Sequence, residues 1–452
     1  MLSVAQAADP DNEESDSEES DRIEPDGKEA DSTTVTNTPR ADAGTDRRVV
    51  VTGIGIWSPL GTDRESTWKS LVAGQSASQW LAPPYWTGTS RLAGAPCQLP
   101  SESVEVGIDP VMSLARQAAT EAIADARLDA ETLAAETTGV VFGTSKGGLQ
   151  TASRILAGQQ ITRNWLDIWP SSAATHVASQ IGCRGPVIAP VLACATGLAA
   201  CLRGFELIRD GRCDVVIAGS SDASLQPAIL GSFQRLGVLA RPGSDPSMAC
   251  QPFDQNRSGF VVGEGAGCLI LESLEHALAR RGRWYAEWIG GRMLSDPSGL
   301  TQLDPAGTSL KRLLTDLIRT TGQLPEYINL HGTATIPNDR VESQSLREVL
   351  GENANRIACS SLKGGLGHLL GAAGSVELAA AILAIRDQIV PPTVNLRNPD
   401  PELKLNFTPH HSEKRRIDRV WKLSLGFGGH LSAACVGRLA GTGDRTNASA
   451  SQ

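Results

Sequence analysis

The stretch Arg48-Val-Val-Val-Thr-Gly-Ile-Gly-Ile56, followed by Ser58-Pro-Leu-Gly61, reads as a β-strand running into a tight turn. β-Branched residues fill the first part, and Pro and Gly punctuate the second. Thr62 and Glu65 then stand at capping-box spacing, and the helix they open is predicted to end at Gly74, a residue suited to the C′ position. Outward from this unit, further strands are expected at Thr138 to Phe142, Asp214 to Ala218, Cys268 to Leu271, Tyr327 to Leu330 and Trp421 to Ser424, with helical patterns between many of them. Such alternation predicts an α/β fold with a mostly parallel sheet covered by helices. Two stretches, about 48 to 283 and 284 to 438, each end in strands after a glycine-rich segment, the pattern an internal duplication would leave.

The 452 residues are 40% apolar, enough to fill a large core, while aromatics reach only 4% against 46 glycines. That balance favours close packing of small side chains where elements cross. Charge is divided unevenly. Residues 1–46 hold 14 Asp and Glu against Arg22, Lys28 and Arg40, a net −11, and the rest of the chain carries +2. The acidic stretch lacks aromatic residues and apolar periodicity, so it is expected to be a disordered tail, solvated or serving as a partner-binding arm.

Met1 to Ala8 is too short and uncharged for a secretory signal, and no run of about 18 apolar residues occurs, so no membrane association is expected. Nine cysteines without CxxC spacing argue against a disulfide framework or a zinc site and fit a reducing compartment, the cytoplasm. Gly53-Ile-Gly55 lacks the third glycine of a dinucleotide fingerprint and no phosphate-loop pattern is found, which excludes NAD and ATP binding. No metal-ligand spacing is present, and the nearly neutral body does not suit a nucleic-acid surface.

Four clusters carry the chemistry. In Val191-Leu-Ala-Cys194-Ala-Thr-Gly-Leu198, Cys194 stands at the first turn of a helix whose Leu198, Cys201, Phe205 and Ile208 share its face. There the positive dipole end favours a thiolate over a thiol. In Asn329-Leu-His331-Gly-Thr-Ala-Thr335, a histidine emerges from a strand end into a small-residue loop, a usual place for catalytic groups in α/β sheets. Ser360-Ser-Leu-Lys363-Gly-Gly-Leu-Gly-His368 leads into a small-residue helix containing Glu377, and Lys363 with Glu377 is expected to be a buried positioning pair. Leu425-Gly-Phe427-Gly-Gly429 is a loop between two strands whose backbone N–H groups are free to bind an oxyanion.

These clusters, in this order, resemble the elongating β-ketoacyl-acyl-carrier-protein synthases from about Arg47 to Leu439, with further matches at Gly143 to Leu149, Pro252-Phe-Asp254 and Gly259 to Gly267. The resemblance implies a thiolase-like five-layered αβαβα fold built from two similar halves. It places an N-terminal half at 47–283 and a C-terminal half at 284–439, flanked by the 1–46 tail and a flexible 440–452 tail. It implies a homodimer that works with an acyl carrier protein, needs no cofactor beyond the phosphopantetheine the carrier supplies, and acts in fatty-acid or polyketide-like synthesis.

By resemblance, Cys194 takes the acyl chain as a thioester, while His331 and His368 bind the malonyl thioester carbonyl and promote decarboxylation. The backbone N–H groups of Cys194 and Phe427 form the other oxyanion hole, and the Phe427 ring gates the acyl pocket. Lys363 and Glu377 organise the site, and Thr333 and Thr335 meet the phosphopantetheine arm. The Cys-His-His set separates the chain from relatives with Cys-His-Asn. Departures from the family pattern occur at Leu425, at His430-Leu431, in the short segment between Leu149 and Cys194, and at Pro190, which falls where a buried strand is expected. Two alternatives remain: a noncatalytic chain-length-factor-like partner of another ketosynthase, and a thiolase-like enzyme acting on coenzyme A thioesters.

Overall fold

The computed structural model describes residues 47–99, 107–159, 164–241 and 243–439. The expectations for residues 1–46 and 440–452 fall outside them.

Besides two small sheets, the strands that the first half gives to the large sheet are β1 (Val49–Trp57), β2 (Thr138–Thr144), β3 (Val187–Ile188), β4 (Val215–Asp222) and β5 (Gly265–Ser273). Those of the second are β6 (Ala286–Ser295), β7 (Tyr327–Asn329), β8 (Ala358–Ser360), β9 (Asn406–Phe407), β10 (Arg419–Gly426) and β11 (His430–Gly437). They form one 11-stranded sheet in the order β9-β8-β7-β10-β11-β6-β1-β5-β4-β2-β3. Within it a single topology occurs twice. In the first half β2 is parallel to β3 and β4, and β5 is antiparallel to β4 and β1. In the second, β7 is parallel to β8 and β10, and β11 is antiparallel to β10 and β6. Strand β9 extends the second half beside β8, and the halves join where Val49, Val50 and Val51 pair antiparallel with Trp288, Glu287 and Ala286.

The sheet is therefore mixed rather than mostly parallel. Alternation of strands and helices was read as a run of parallel crossovers, but β10 and β11 are joined by only the loop 427–429, and so short a connection produces an antiparallel pair.

Helix α1 (Arg64–Val72) is capped by Asp63, whose Oδ1 accepts from Ser66 N at 2.8 Å. The capping box expected from Thr62 and Glu65 is not used. A carboxylate one residue later satisfies the helix N–H, and Glu65 is left to bind Arg386. Gly74 does take the predicted left-handed conformation, at φ +68°.

The layers follow from strand alternation. Helix α2 (Pro110–Ala126) packs with Val215, Ile217 and Ile270 on one face of the first half. Helix α3 (Thr196–Arg209) packs with Val216, Ala218, Leu269 and Leu271 on the other. Helix α4 (Thr308–Thr321) covers the outer face of the second half with Trp421, Leu423, Ala433 and Cys435. Helix α5 (Ile336–Leu350) follows the loop after β7, and α6 (Ala373–Asp387) lies beside α3, buried from Ala373 to Ile385. The result is the thiolase-like αβαβα arrangement, helices outside each half-sheet and α3 with α6 between them.

Glycine makes two of these contacts close enough to form. A Cβ on Gly53 or Gly55 would lie 2.2 Å from Ala122 O or 1.9 Å from Ala118 O, so the Gly-Ile-Gly of β1 admits α2. At the centre, a Cβ on Gly197 would lie 2.5 Å from Ser375 N, and one on Gly374 would lie 2.3 Å from Leu198 N. The two central helices thus cross at backbone contact, next to the cysteine and histidine segments.

Candidate active site

Cys194 sits on a single 3-10 turn, Ala193–Ala195, that runs directly into α3. Ala193 adopts φ +46°, and Thr196 fixes the turn by accepting Leu192 N–H at 2.8 Å while donating to Ala193 O at 2.7 Å. Pro190 does not interrupt a buried strand. β3 stops at Ile188 and is the edge strand of its half, so a missing N–H two residues later breaks no ladder.

The thiol is buried and approaches His368 Nε2 at 3.2 Å. His368 Nδ1 accepts the Leu370 N–H at 3.3 Å. A neutral imidazole accepting at Nδ1 carries its proton on Nε2, so the ring presents a donor to the sulfur. Burial, aided by the charges of Lys363, Lys146 and Lys422, holds His368 well below the usual imidazole range. His331 is held neutral likewise, by burial and then by Lys363. The two rings meet edge to face with centroids 5.5 Å apart.

The sulfur departs from the thiolate expectation. Burial pushes the Cys194 thiol up to about 11, against the lowering effect of Lys146, Lys363 and the Phe427 N–H. Desolvation by burial outweighs the helix terminus, so the resting group is a thiol.

His331 is placed by its main chain. Its N–H and that of Gly332 donate to the two oxygens of Glu342 at 2.6 and 2.8 Å, and its carbonyl accepts from Lys363 Nζ at 2.6 Å. Lys363 Nζ also binds Glu377 Oε1 at 2.7 Å, and Lys422 Nζ pairs with Glu377 Oε2 at 2.6 Å. Both ammonium groups are wholly buried, as expected for Lys363 and Glu377. Burial lowers Lys422 to about 8 and raises Glu342 to about 7.

Phe427 heads the β10–β11 loop, its ring half-buried against the apolar cluster containing Cys194, Leu225 and Leu230. Its N–H is directed at the Cys194 sulfur. The other N–H groups of that loop are not all free, because Gly428 N donates to Leu300 O at 2.7 Å. Thr333 and Thr335 leave the site on the loop after His331 and share a 2.8 Å hydrogen bond between their hydroxyls. Among the described contacts none brings them to the sulfur.

The structure thus gathers Cys194, His331, His368, Lys363, Glu377 and Phe427. Sequence reading passed over Lys422, Glu342, Lys146 and Asp222. Lys422 had a usable signal: a lone cation in the apolar strand Val420-Trp-Lys-Leu-Ser-Leu425, whose alternation turns it away from Trp421 and Leu423, toward α6. Glu342 stands between Val341 and Ser343 in a helix of mixed polarity, and nothing in one dimension marks it.

Residues 46–277 match the family described as Beta-ketoacyl synthase, N-terminal domain, and residues 285–397 the Beta-ketoacyl synthase, C-terminal domain. The chain is 37% identical to the tetracenomycin polyketide synthase ketoacyl synthase alpha subunit of Streptomyces glaucescens, over 87% of this chain and 97% of that one. It is 35% identical to the 3-oxoacyl-[acyl-carrier-protein] synthase 2 of a Synechocystis strain, over 85% and 96%. Among solved structures, a ketosynthase bound to the hexaketide and in complex with its type II polyketide acyl-carrier protein aligns with TM-score 0.79 at 32% identity, covering 87% of this chain and 99% of that one. The ishigamide ketosynthase/chain length factor aligns with TM-score 0.79 at 26% identity, covering 87% and 100%.

Proposed function

Because the chain belongs to the β-ketoacyl synthase family of acyltransferases, we propose that it is a catalytically complete member, condensing a Cys194-bound acyl group with a malonyl-acyl-carrier-protein extender. The observation that carries this reading is the 3.2 Å approach of His368 Nε2 to Cys194 Sγ at the head of a buried helix, beside a second neutral histidine.

In the first half-reaction the Cys194 sulfur attacks the thioester carbonyl of an acyl-carrier, and the carrier's thiol leaves with a proton. The Nε2–H of His368 and the α3 N-terminus stabilise the thiolate at the moment of attack. The backbone N–H groups of Cys194 and Phe427 face the oxygen that becomes an oxyanion. In the second, His331 and His368 donate to the malonyl thioester carbonyl. Breaking the carbon–carboxylate bond releases carbon dioxide and leaves its electron pair on the thioester enolate, whose carbon attacks the acyl-cysteine. A 3-oxoacyl-carrier forms, and the Cys194 thiolate departs and takes up a proton.

Neutral histidines suit this task. A cationic imidazolium would hold the malonyl carboxylate by charge and oppose its loss as carbon dioxide, whereas a neutral N–H binds the carbonyl. Lys363, Glu377, Lys422 and Glu342 act as positioning residues by fixing the His331 main chain, and Thr333 with Thr335 is assigned to the phosphopantetheine arm of the carrier.

The competing reading is a noncatalytic chain-length-factor-like subunit. Intact-mass measurement after incubation with acyl-carrier separates the two. The expected result is a mass gain of one acyl group that disappears in Cys194→Ala; no acylation across a panel of chain lengths would assign the chain to the partner role.

A further inference from the structure

Beside Cys194 lies an apolar cluster of Leu92, Leu225, Leu230, Phe233, Phe260 and Leu370. Its aromatic wall is continuous with the site: Phe233 meets Phe260 edge to face at 5.5 Å, and Phe260 meets the His368 ring at 5.1 Å. A wall of this kind suits an alkyl chain, but one of its neighbours is a cation. Lys146, on the loop following β2, lies with Nζ 6.0 Å from the centre of the Phe233 ring.

The lysine is held in place. Nζ donates to Ser145 Oγ at 2.7 Å and to Ser224 Oγ at 3.2 Å. The nearest carboxylate oxygen, Asp222 Oδ2, is 4.0 Å away and is already bound by Ser145 Oγ and by Gly371 N–H at 3.1 Å. The other Asp222 oxygen takes the Ser224 hydroxyl. An ammonium has three N–H donors. Two are used by the serines, and among the described residues the third has no acceptor. The charge is near enough to the chemistry to act on both the Cys194 sulfur and the His368 ring.

A saturated chain laid along this wall would strip water from the ammonium and return nothing, which is costly. A chain bearing a carbonyl oxygen would accept the third N–H, and a hydrogen bond to a charged donor is among the stronger ones. We propose that Lys146 is a specificity-determining residue that selects acyl chains carrying a carbonyl oxygen near the thioester over saturated chains. The 3-oxoacyl product of the condensation is such a chain, so the class of acceptor favoured is that product returned without reduction. This inference rests on the synthase reading above.

The test compares extension by malonyl-carrier of 3-oxoacyl-carriers and saturated acyl-carriers at matched lengths of four to eight carbons, for the full-length wild type, Lys146→Met and Lys146→Arg. The wild type is expected to favour the 3-oxo chain in kcat/KM by about 10-fold or more. Lys146→Met should bring the ratio toward unity through the KM of the 3-oxo substrate, and Lys146→Arg should restore a preference. If Lys146→Met does not accumulate as folded protein, Lys146→Ala takes its place. An unchanged ratio in the truncated variant overturns the inference alone, including the case in which both substrates slow equally because Lys146 acts only on the acidity of Cys194. A wild type that extends neither substrate overturns the synthase reading itself, and this proposal with it.

Discussion

At Cys194 two effects of opposite sign meet. The helix terminus and the neighbouring lysines favour sulfur as an anion, and burial favours the neutral thiol; burial prevails and the thiol rises to about 11. Its reaction with iodoacetamide is therefore expected to quicken about tenfold per pH unit from pH 7 to 10, and a plateau beginning below pH 8 would show that the dipole wins instead. No inflection near pH 6.5 should accompany it, because both histidines are already neutral there. The buried quartet makes a second demand. Lys422→Met removes one of the two ammonium groups that bind Glu377 and leaves its Oε2 buried without a partner while Lys363 still balances its charge, so a loss of about 1–3 kcal/mol in urea unfolding is expected, and no loss would contradict the pairing described. Cys194, His331, His368 and Lys363 were legible in the sequence because each stands among small residues near a strand or helix end, and Glu377 because it is the first charge in a mostly apolar helix. Glu342 and Lys146 were not, because each is defined by partners far along the chain that only the fold brings near, and Lys422 carried only the signal of a lone cation in an apolar strand.

At the scale of elements, the position of the nucleophile depends on how closely α3 and α6 approach. Gly197→Val would place carbon atoms against Ser375 N and the Ser220 hydroxyl. Overpacking of this kind costs about 1–3 kcal/mol, and the shift it forces on the first turn of α3 should slow Cys194 acylation more than it lowers stability. Thermal unfolding and acylation rates measured together check this; unchanged acylation would mean that α3 does not set the sulfur's place. The strands with long apolar runs were readable, and Gly74 as a helix stop from its chemistry alone, whereas β3, β6, β8 and β9 were not singled out, being short or, in β6, interrupted by Gly290-Gly291 and Arg292. Two further features were not readable. Asp63 displaced Thr62 as the cap, since adjacent capping residues compete on geometry that a pattern does not encode. Strand direction was misjudged, since periodicity carries no information on orientation and only the length of the β10–β11 loop betrays it.

For the whole molecule, the repeated strand order gives each half an open end, and the first half ends on the short strand β3. The same half exposes apolar side chains, including Leu156 at 88%, Trp165 at 52%, Trp169 at 50% and, three residues after β3, Val191 at 47% of full exposure. A sheet edge without a partner strand among the described residues, in a half that exposes tryptophans, is a surface that another chain would cover, and a second copy paired about a twofold axis is the proposed occupant. Val191→Lys together with Trp169→Glu is expected to shift the sedimenting species from dimer to monomer; an unchanged dimer would place the interface elsewhere, and a wild-type monomer that becomes a heterodimer with a second synthase-like chain would favour the partner-subunit reading. The acidic residues 1–46 add −11 to a body of +2, so the charge of the chain says little about the surface that meets an acidic carrier.

The most direct test of the catalytic reading is to supply the purified protein with malonyl-carrier and a panel of acyl-carriers and to weigh the carrier-bound products intact. The account predicts 3-oxoacyl-carriers two carbons longer than the starting acyl group, formed by the wild type and absent with Cys194→Ala. Elongated product of equal amount from the Cys194→Ala protein would contradict it.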